Sequence, residues 1–312
     1  MSIGIFFGID TSNYTTSAAA VTTAGEVFCA KRLLSVPQGA RGMRQSDALF
    51  CHTRDLSELI EEVLLKVKEK YESFQVLAVG VSDQPRWQEG SYMPCFLAGV
   101  NAAKSAAELL DVPFYTFSHQ EGHIEAVRQG SDQKFSETQF YAFHLSGGTT
   151  EFLEISEVGG RYRAHVLAEA LDLTCGQLID RCGVKMGLSF PAGKELEELA
   201  AKSEKSYKIK IPKKENGINL SGFENKFDQM LEKGEKKEDL AKFVFDVVKE
   251  AIFTLLSFGE EGKTVLFSGG VTSSYLIKRA FERENFIFAP PAFTADNAIG
   301  IAYLTKKGTE NG

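Results

Sequence analysis

Apolar and polar positions follow two patterns along the chain, one typical of buried strands and one typical of amphipathic helices. Apolar runs at Gly4–Asp10 and Gln75–Val81 predict buried strands. Between them, apolar residues recur at the spacing of a helix: Leu56, Leu59, Ile60, Val63, Leu64 and Val67. The alanine-rich segment Cys95–Leu110 predicts a second helix, and Pro113–Phe117 predicts a further strand. Strands and helices in this order predict an α/β fold.

Two predicted hairpins have the same plan, although their sequences are not a repeat. The first has strands at Gly4–Asp10 and Ala18–Val21, and the second has strands at Phe140–Leu145 and Glu151–Ile155. The turn in each hairpin is rich in hydroxyl groups, which either bond their own backbone or bind phosphate oxygens. The shared plan predicts two related halves.

A third stretch combines a strand, paired glycines and a helix start. Thr264–Phe267 predicts the strand, Ser268–Ser274 the turn and Tyr275–Phe281 the helix. This arrangement recurs in nucleotide-binding proteins, because the amides and the dipole of the helix face the ligand. Its spacing matches neither a Walker loop nor GxGxxG, so it indicates neither of those folds.

Two histidines follow the predicted strand that ends at Phe117. His119 and His123 are four residues apart, so both imidazoles share one face if a helix begins here. Imidazole suits zinc, iron, copper and nickel. The alternative is a polar helix start in which one histidine caps and the other is solvated. Asp296, in a proline-held loop before the predicted closing helix Ala298–Lys306, is a candidate third ligand.

Composition limits the class of protein. The chain is 43% hydrophobic and 25% charged, which is ordinary for a globular protein, and its formal net charge of -7 opposes general affinity for nucleic acid. No apolar run approaches the ~20 residues that span a bilayer. Five cysteines without a CxxC pair predict reduced thiols in a cytoplasmic protein.

Two local features allow nucleic-acid contact despite the net charge. Lys202–Lys214 holds six lysines and one glutamate, which fits either a solvated loop or a surface that binds a phosphate backbone. Trp87 follows Arg86 in a loop, where it either stacks on a base or packs as an anchor on the core.

Four motifs in order resemble those of the TsaD/Gcp family, transferases that make threonylcarbamoyladenosine in transfer RNA. They are His119–His123, Ser146–Glu151, Ser268–Val271 and Thr294–Asn297. The likeness covers nearly the whole chain. It implies an actin-like, Hsp70-like (ASKHA) fold with a nucleotide cleft between related halves. We expect residues 1–117 to form the first domain and 118–297 the second, with a closing helix at 298–312 packing on the first.

The resemblance also implies ligands and site residues. It implies one divalent metal, zinc or iron, held by His119, His123 and Asp296, and an adenine nucleotide or acyl-adenylate. With the glycine-rich turns, it assigns nucleotide or substrate binding to Asp10, Ser12, Ser146, Gly147, Gly148, Thr149, Asp180, Gly193, Gly269, Gly270 and Ser274. No catalytic residue is assigned. The implied partners are transfer RNA and subunits of a threonylcarbamoylation-type complex.

The chain departs from the family pattern where the acyl group would be oriented. Asn13, Tyr14 and Thr15 replace the family's Cys, Asp and Glu, and Asp83–Cys95 replaces its Gly-Pro-Gly loop. Thr149 replaces a histidine, and Ser274 an asparagine. Two hypotheses follow. The retained histidines favour an enzyme that transfers a carbamoyl-type group to an amine, either adenosine of transfer RNA or a small molecule. The lost acidic pair favours a non-catalytic partner that binds nucleotide and metal.

Overall fold

A computed structural model describes residues 2–12, 14–34, 43–87, 90–131, 135–288, 290–294 and 298–311. The chain forms two compact units. The first unit contains Met1–Lys134, Glu157–Arg163 and Asp296–Gly312. The second contains Phe135–Ser156 and Ala164–Ala295. Within the described ranges, no helix combines the length and the apolar character that crossing a membrane requires.

The elements alternate between strands and helices along much of the chain. The strands are β1 (Ser2–Ser12), β2 (Thr15–Thr22), β3 (Val27–Leu33), β4 (Ser73–Gln84), β5 (Phe114–Ser118), β6 (Gln139–Leu145), β7 (Thr150–Val158), β8 (Arg161–Ala170), β9 (Gly217–Ile218), β10 (Val265–Ser268) and β11 (Phe286–Phe288). The helices are α1 (Gln45–Lys70), α2 (Phe96–Leu110), α3 (His119–Gly130), α4 (Cys175–Lys185), α5 (Gly193–Ala200), α6 (Ser221–Glu232), α7 (Lys237–Leu256), α8 (Tyr275–Ala280), α9 (Pro291–Thr294) and α10 (Ile299–Asn311). A short 3-10 helix lies at Gly270–Ser273.

The two sheets have the same strand order. The first runs β3-β2-β1-β4-β5, and the second runs β11-β10-β6-β7-β8-β9. In each, a hairpin (β1–β2 or β6–β7) is antiparallel, and its first strand pairs in parallel with a later strand, β4 or β10. The second sheet adds only β9, beyond β8. This common topology confirms the predicted related halves and the α/β class.

The closing helix α10 packs directly against β1 and α3 within the first unit. A Cβ at Gly8 of β1 would lie 2.5 Å from the Ala302 backbone nitrogen. A Cβ at Gly300 would lie 1.8 Å from the carbonyl oxygen of Gly122 in α3. Only glycine permits these approaches, because any side chain would overlap backbone atoms. The glycines therefore fix α10 and α3 as one packed pair.

The structure differs from the sequence expectations in three places. The first hairpin has no long hydroxyl-rich turn, because Thr11 pairs with Thr16 and Ser12 pairs with Thr15 as buried strand residues. The predicted boundary at Ser118 also differs, since α3 lies in the first unit. Strand β3 (Val27–Leu33) was not among the strands predicted from the sequence. The five cysteines are all free.

Candidate metal and nucleotide sites

Helix α3 begins where the chain leaves β5, and its first two turns carry both candidate metal ligands. Ser118 ends β5 and caps α3: its Oγ accepts from the Glu121 N–H at 3.2 Å, and the Glu121 carboxylate accepts from the Ser118 N–H at 2.7 Å. This capping box satisfies two N–H groups that a helix start leaves without partners. It also fixes the helix origin so that His119 and His123 lie one above the other.

The two imidazoles converge through their Nε2 atoms. These nitrogens are 2.9 Å apart, and the side chain of His123 is buried. Two nitrogens bound to one tetrahedral zinc at about 2.05 Å lie about 3.3 Å apart. The observed 2.9 Å is the length of a direct hydrogen bond between the two rings, and it is about 0.4 Å shorter than the separation around a shared zinc ion. The donor chemistry still fits a metal that prefers imidazole.

The Asp10 carboxylate sets the tautomer of His119. Both carboxylate oxygens of Asp10 lie 3.1 Å from Nδ1 of His119, and Asp10 is fully buried. The hydroxyls of Ser12 and Ser82 also donate to this carboxylate. A carboxylate only accepts, so the imidazole proton lies on Nδ1 and the lone pair on Nε2. That tautomer is the one that binds a metal through Nε2.

The third predicted ligand, Asp296, lies outside the described residues, as do Ala295 and Asn297. Among the residues that the structure describes, no group of three or more His, Cys, Asp or Glu is arranged to hold a metal ion. The assignment of His119, His123 and Asp296 as metal ligands therefore stays a prediction.

The predicted nucleotide residues of the second unit gather at one edge of its sheet. Because β6 and β10 are parallel neighbours, their carboxyl ends are adjacent. The turn after β6 holds Ser146–Thr149, in which the Ser146 Oγ accepts from the Thr149 N–H at 3.1 Å. Gly269 follows β10 with φ 94°, and a Cβ there would lie 2.3 Å from the Leu145 carbonyl oxygen. The two glycine-rich turns therefore lie side by side.

The N-terminus of α4 packs against the first of these turns, Ser146–Thr149. Thr174 caps α4 and donates to the Gly147 carbonyl at 3.0 Å. A Cβ at Gly176 would lie 2.4 Å from the Ser146 carbonyl oxygen. In contrast, a Cβ at Gly147, Gly148 or Gly270 would meet no atom within 4 Å. The turn is supported on one side and has open space beside its glycines, which a ligand can approach.

The other predicted nucleotide residues have structural partners. Asp180 in α4 accepts from the Ala192 N–H at 2.9 Å through Oδ1, beside Gly193 at the start of α5, and burial raises the pKa of Asp180. Ser274 caps α8 and donates to the Glu197 carboxylate. The remaining two, Asp10 and Ser12, belong to the first unit and bond to one another. Their assignment to nucleotide binding stays a prediction.

Three residues of these sites were missed from the sequence. Ser82 and Glu197 hold their partners through contacts distant in sequence, which no local pattern signals. Thr174 could have been found, because Thr174 and Gln177 have the T-x-x-Q spacing of a capping box.

The lysine-rich segment forms neither helix nor strand over residues 201–213 and alternates between core and solvent. Ile211 is buried, whereas Lys208 and Lys210 are exposed. Lys205 pairs with Asp239 at 2.8 Å, and Lys213 donates to the Ser257 carbonyl at 2.8 Å. Some of its charge is therefore neutralised locally, which favours the solvated-loop interpretation.

Comparison with known proteins decides the family. The family described as "TsaD: tRNA N6-adenosine threonylcarbamoyltransferase" matches residues 35–303. The chain belongs to the TsaD family. Among its relatives, the tRNA N6-adenosine threonylcarbamoyltransferase of Methanopyrus kandleri is 27% identical, over 96% of this chain and 86% of the relative. That of Bacillus subtilis is 28% identical, over 95% and 88%. That of Thermus thermophilus is 31% identical, over 69% and 67%.

Solved structures agree on the fold. The Acidaminococcus fermentans (R)-2-hydroxyglutaryl-CoA dehydratase component A superposes with a TM-score of 0.58 at 18% identity, covering 97% of this chain and 98% of that one. T. kodakarensis HypF gives a TM-score of 0.62 at 13% identity, covering 99% of this chain and 48% of that one. This TsaD family member therefore has the actin-like, Hsp70-like fold that the sequence predicted.

Proposed function

We propose that this protein transfers a threonylcarbamoyl-type group from an acyl-adenylate to the N6 amine of an adenosine in transfer RNA. In that reaction the amine nitrogen bonds to the carbamoyl carbon, the bond to the adenylate oxygen breaks, AMP leaves and the amine loses a proton. Family membership gives the reaction class. The observation that carries the proposal for this chain is the convergence of His119 and His123, with Asp10 behind His119.

We assign His119 and His123 to a divalent metal, zinc or iron, with Asp296 as the predicted third ligand. When bound, such an ion supplies a positive charge that polarises or positions an acyl group. Asp10 holds the proton of His119 on Nδ1 and keeps the ring oriented. Burial of Asp10 and His123 limits the freedom of both groups, so the pair is preorganised.

We assign the adenylate to the second unit. The open space beside Gly147, Gly148 and Gly270 lets phosphate oxygens approach the backbone of the two turns. Asp180 uses Oδ1 for the Ala192 N–H, which leaves Oδ2 for a ribose hydroxyl. The glycines favour close approach because they carry no side chain at the ligand-facing surface.

The altered first turn limits what the chain can contribute. Thr15, where the family has Glu, is a buried residue of β2 paired with Ser12. The proposal therefore assigns no proton transfer to this position. The alternative, a partner subunit without catalysis, has no support from the comparisons, in which the relatives are named as transferases.

The decisive experiment incubates the purified protein with threonylcarbamoyl-adenylate and transfer RNA that lacks the modification. Mass spectrometry of the digested nucleosides should detect a modified adenosine. The reaction is run first with the protein alone and then with the partner subunits of a cytoplasmic threonylcarbamoylation-type complex. His123→Ala should abolish product and lower metal content, whereas His165→Ala, at an exposed position of β8, should do neither. No product in either condition would overturn the proposal, and equal metal in wild type and His123→Ala would overturn the metal assignment.

A further inference from the structure

The loop that replaces the family's Gly-Pro-Gly carries the only tryptophan of the chain, Trp87. Its side chain is 44% exposed, so it is neither a core anchor nor a freely solvated ring. The guanidinium carbon of Arg161 lies 4.8 Å from the ring centroid, and that of Arg163 lies 5.7 Å away. Both distances are within the range of a cation–π contact. We call Trp87, Arg161 and Arg163 the tryptophan patch.

Arg161 is held rigidly, and so it fixes the indole. Its guanidinium makes two hydrogen bonds to the Glu121 carboxylate, at 3.0 and 3.1 Å, and lies 5.0 Å from the ring centroid of Phe117. A bidentate arginine between two rings loses its rotamer freedom. The ring is thus ordered before any ligand arrives, which lowers the entropic cost of binding.

The patch is next to the histidine helix. Glu121, which holds Arg161, is the capping-box residue of α3 between His119 and His123. The N–H of Gln120 donates to the Pro85 carbonyl at 3.0 Å, which ties the loop of Trp87 to the first turn of the same helix. A ligand bound to the exposed indole would therefore lie near the start of α3, which carries the predicted metal ligands.

Arg163 gives the patch its charge. It is exposed and has no ion-pair partner among the residues that the structure describes. An exposed aromatic ring beside an unpaired guanidinium matches the chemistry of an unpaired nucleotide, because the base stacks on the ring and the phosphate meets the cation. In a chain of net charge -7, such a local feature marks a specific contact.

We infer that the tryptophan patch stacks an unpaired base of the acceptor RNA and so holds the acceptor strand beside the histidine pair. The inference rests on the proposed function for the identity of the RNA. It assigns a binding role to Trp87, which lies in the segment that replaces the family's Gly-Pro-Gly loop.

The test uses the fluorescence of Trp87, which reports on the patch alone because no other tryptophan is present. The probes are an unmodified RNA hairpin with unpaired adenines in its loop, the same hairpin with abasic loop sites, and AMP. The adenine hairpin should quench the fluorescence and the abasic hairpin should not. Trp87→Ala should raise the Kd of the adenine hairpin about 5- to 100-fold, with Trp87→Phe in between. Because these two variants have no tryptophan, their Kd values and that of the wild type are measured by filter binding of labelled hairpin. Arg163→Gln should reduce the slope of log Kd against log salt by about one.

Equal quenching by the abasic hairpin, or wild-type affinity of Trp87→Ala, would overturn the inference. So would quenching by AMP that blocks the RNA signal, since the patch would then bind the adenine of the donor. Binding is measured without donor or metal, which separates the two proposals. Quenching by a protein that makes no product would overturn the proposed function alone, and modification without quenching would overturn this inference alone.

Discussion

At the scale of single residues, His119 is defined by what lies on both sides of its ring. Nδ1 faces the buried carboxylate of Asp10, and Nε2 faces His123. The spacing of the histidines was readable from the sequence because it is local. Asp10 is 109 residues away, so no periodicity could have predicted its role. A site residue can be predicted from the sequence when its partners in the site are close to it along the chain.

Asp10→Asn should weaken metal binding by about 10- to 100-fold, the range typical of outer-shell partners. The amide keeps an acceptor for Nδ1 but loses the charge that raises the basicity of His119. Competition with a chromophoric zinc chelator measures the affinity. Ser12→Ala, which removes one donor to Asp10 and leaves the pair with His119, should have a smaller effect. Unchanged affinity of Asp10→Asn would contradict the role.

Gly148→Ala should leave stability within about 0.5 kcal/mol of wild type, because the new methyl group meets no protein atom within 4 Å. If an adenylate approaches this backbone, its affinity should fall about tenfold, equal to ~1.4 kcal/mol. Denaturant unfolding and calorimetric titration with a stable adenylate analogue measure the two effects. Gly176→Ala, whose methyl group would lie 2.4 Å from the Ser146 carbonyl oxygen, should lose stability instead. Full nucleotide affinity in Gly148→Ala would count against the assigned site.

At the scale of elements, α3 is positioned both by a capping motif at its own N-terminus and by contacts with elements distant in the sequence. Its capping box sets where the helix begins, and Gly122 sets how closely α10 approaches. The tip of the β7–β8 hairpin adds a second support through Arg128 of α3, which donates to Glu157 at 2.6 Å, while Lys307 of α10 pairs with the same carboxylate. The helix that carries the histidines is therefore fixed from several elements.

Gly300→Ala should destabilise the protein by about 1–3 kcal/mol, the usual range for overpacking, because its methyl group would overlap the Gly122 carbonyl. Urea unfolding measures this change. Gly222→Ala in α6 is a matched control, since a Cβ there meets nothing within 4 Å. Equal stability of the two variants would show that α3 and α10 do not pack as described.

Glu157→Gln should cost about 1 kcal/mol near neutral pH, a modest value for a partly exposed pair. Burial opposes ionisation of Glu157, but hydrogen bonds and charges from Lys307 and Arg128 outweigh it and lower its pKa. The ionised form therefore stabilises the fold above the ordinary value of 4.5, and this contribution is lost as the pH falls through the lower folded pKa. Unfolding curves from pH 7 to about 2 should show a difference from wild type that is constant down to about 4.5 and shrinks below it. Glu154→Gln, at an exposed pair, should show little difference at any pH.

At the scale of the whole molecule, the two sheets show which parts of the fold a sequence can reveal. The hairpins and the strand before Gly269 were predicted because buried strands are apolar throughout. β3 was missed because Lys31 and Arg32 interrupt its apolar run, which they can do because this end of the edge strand is exposed. The position of α3 in the first unit was also missed. It depends on backbone contact between Gly122 and Gly300, which are 178 residues apart in the sequence.

The split of the first unit along the chain has a consequence for how the protein is made. Residues 298–311, which form the last part of that unit, leave the ribosome only after the whole second unit. The first unit cannot bury Gly8 or Gly122 against α10 until then.

The histidine pair should accordingly become competent to load metal late in synthesis. A chain stopped at Thr294 should contain a protease-resistant second unit and a protease-sensitive first unit, and adding a synthetic peptide of residues 295–312 should restore protection of the first. Pulse proteolysis of stalled nascent chains would record the order, and early protection of residues 2–131 would refute it.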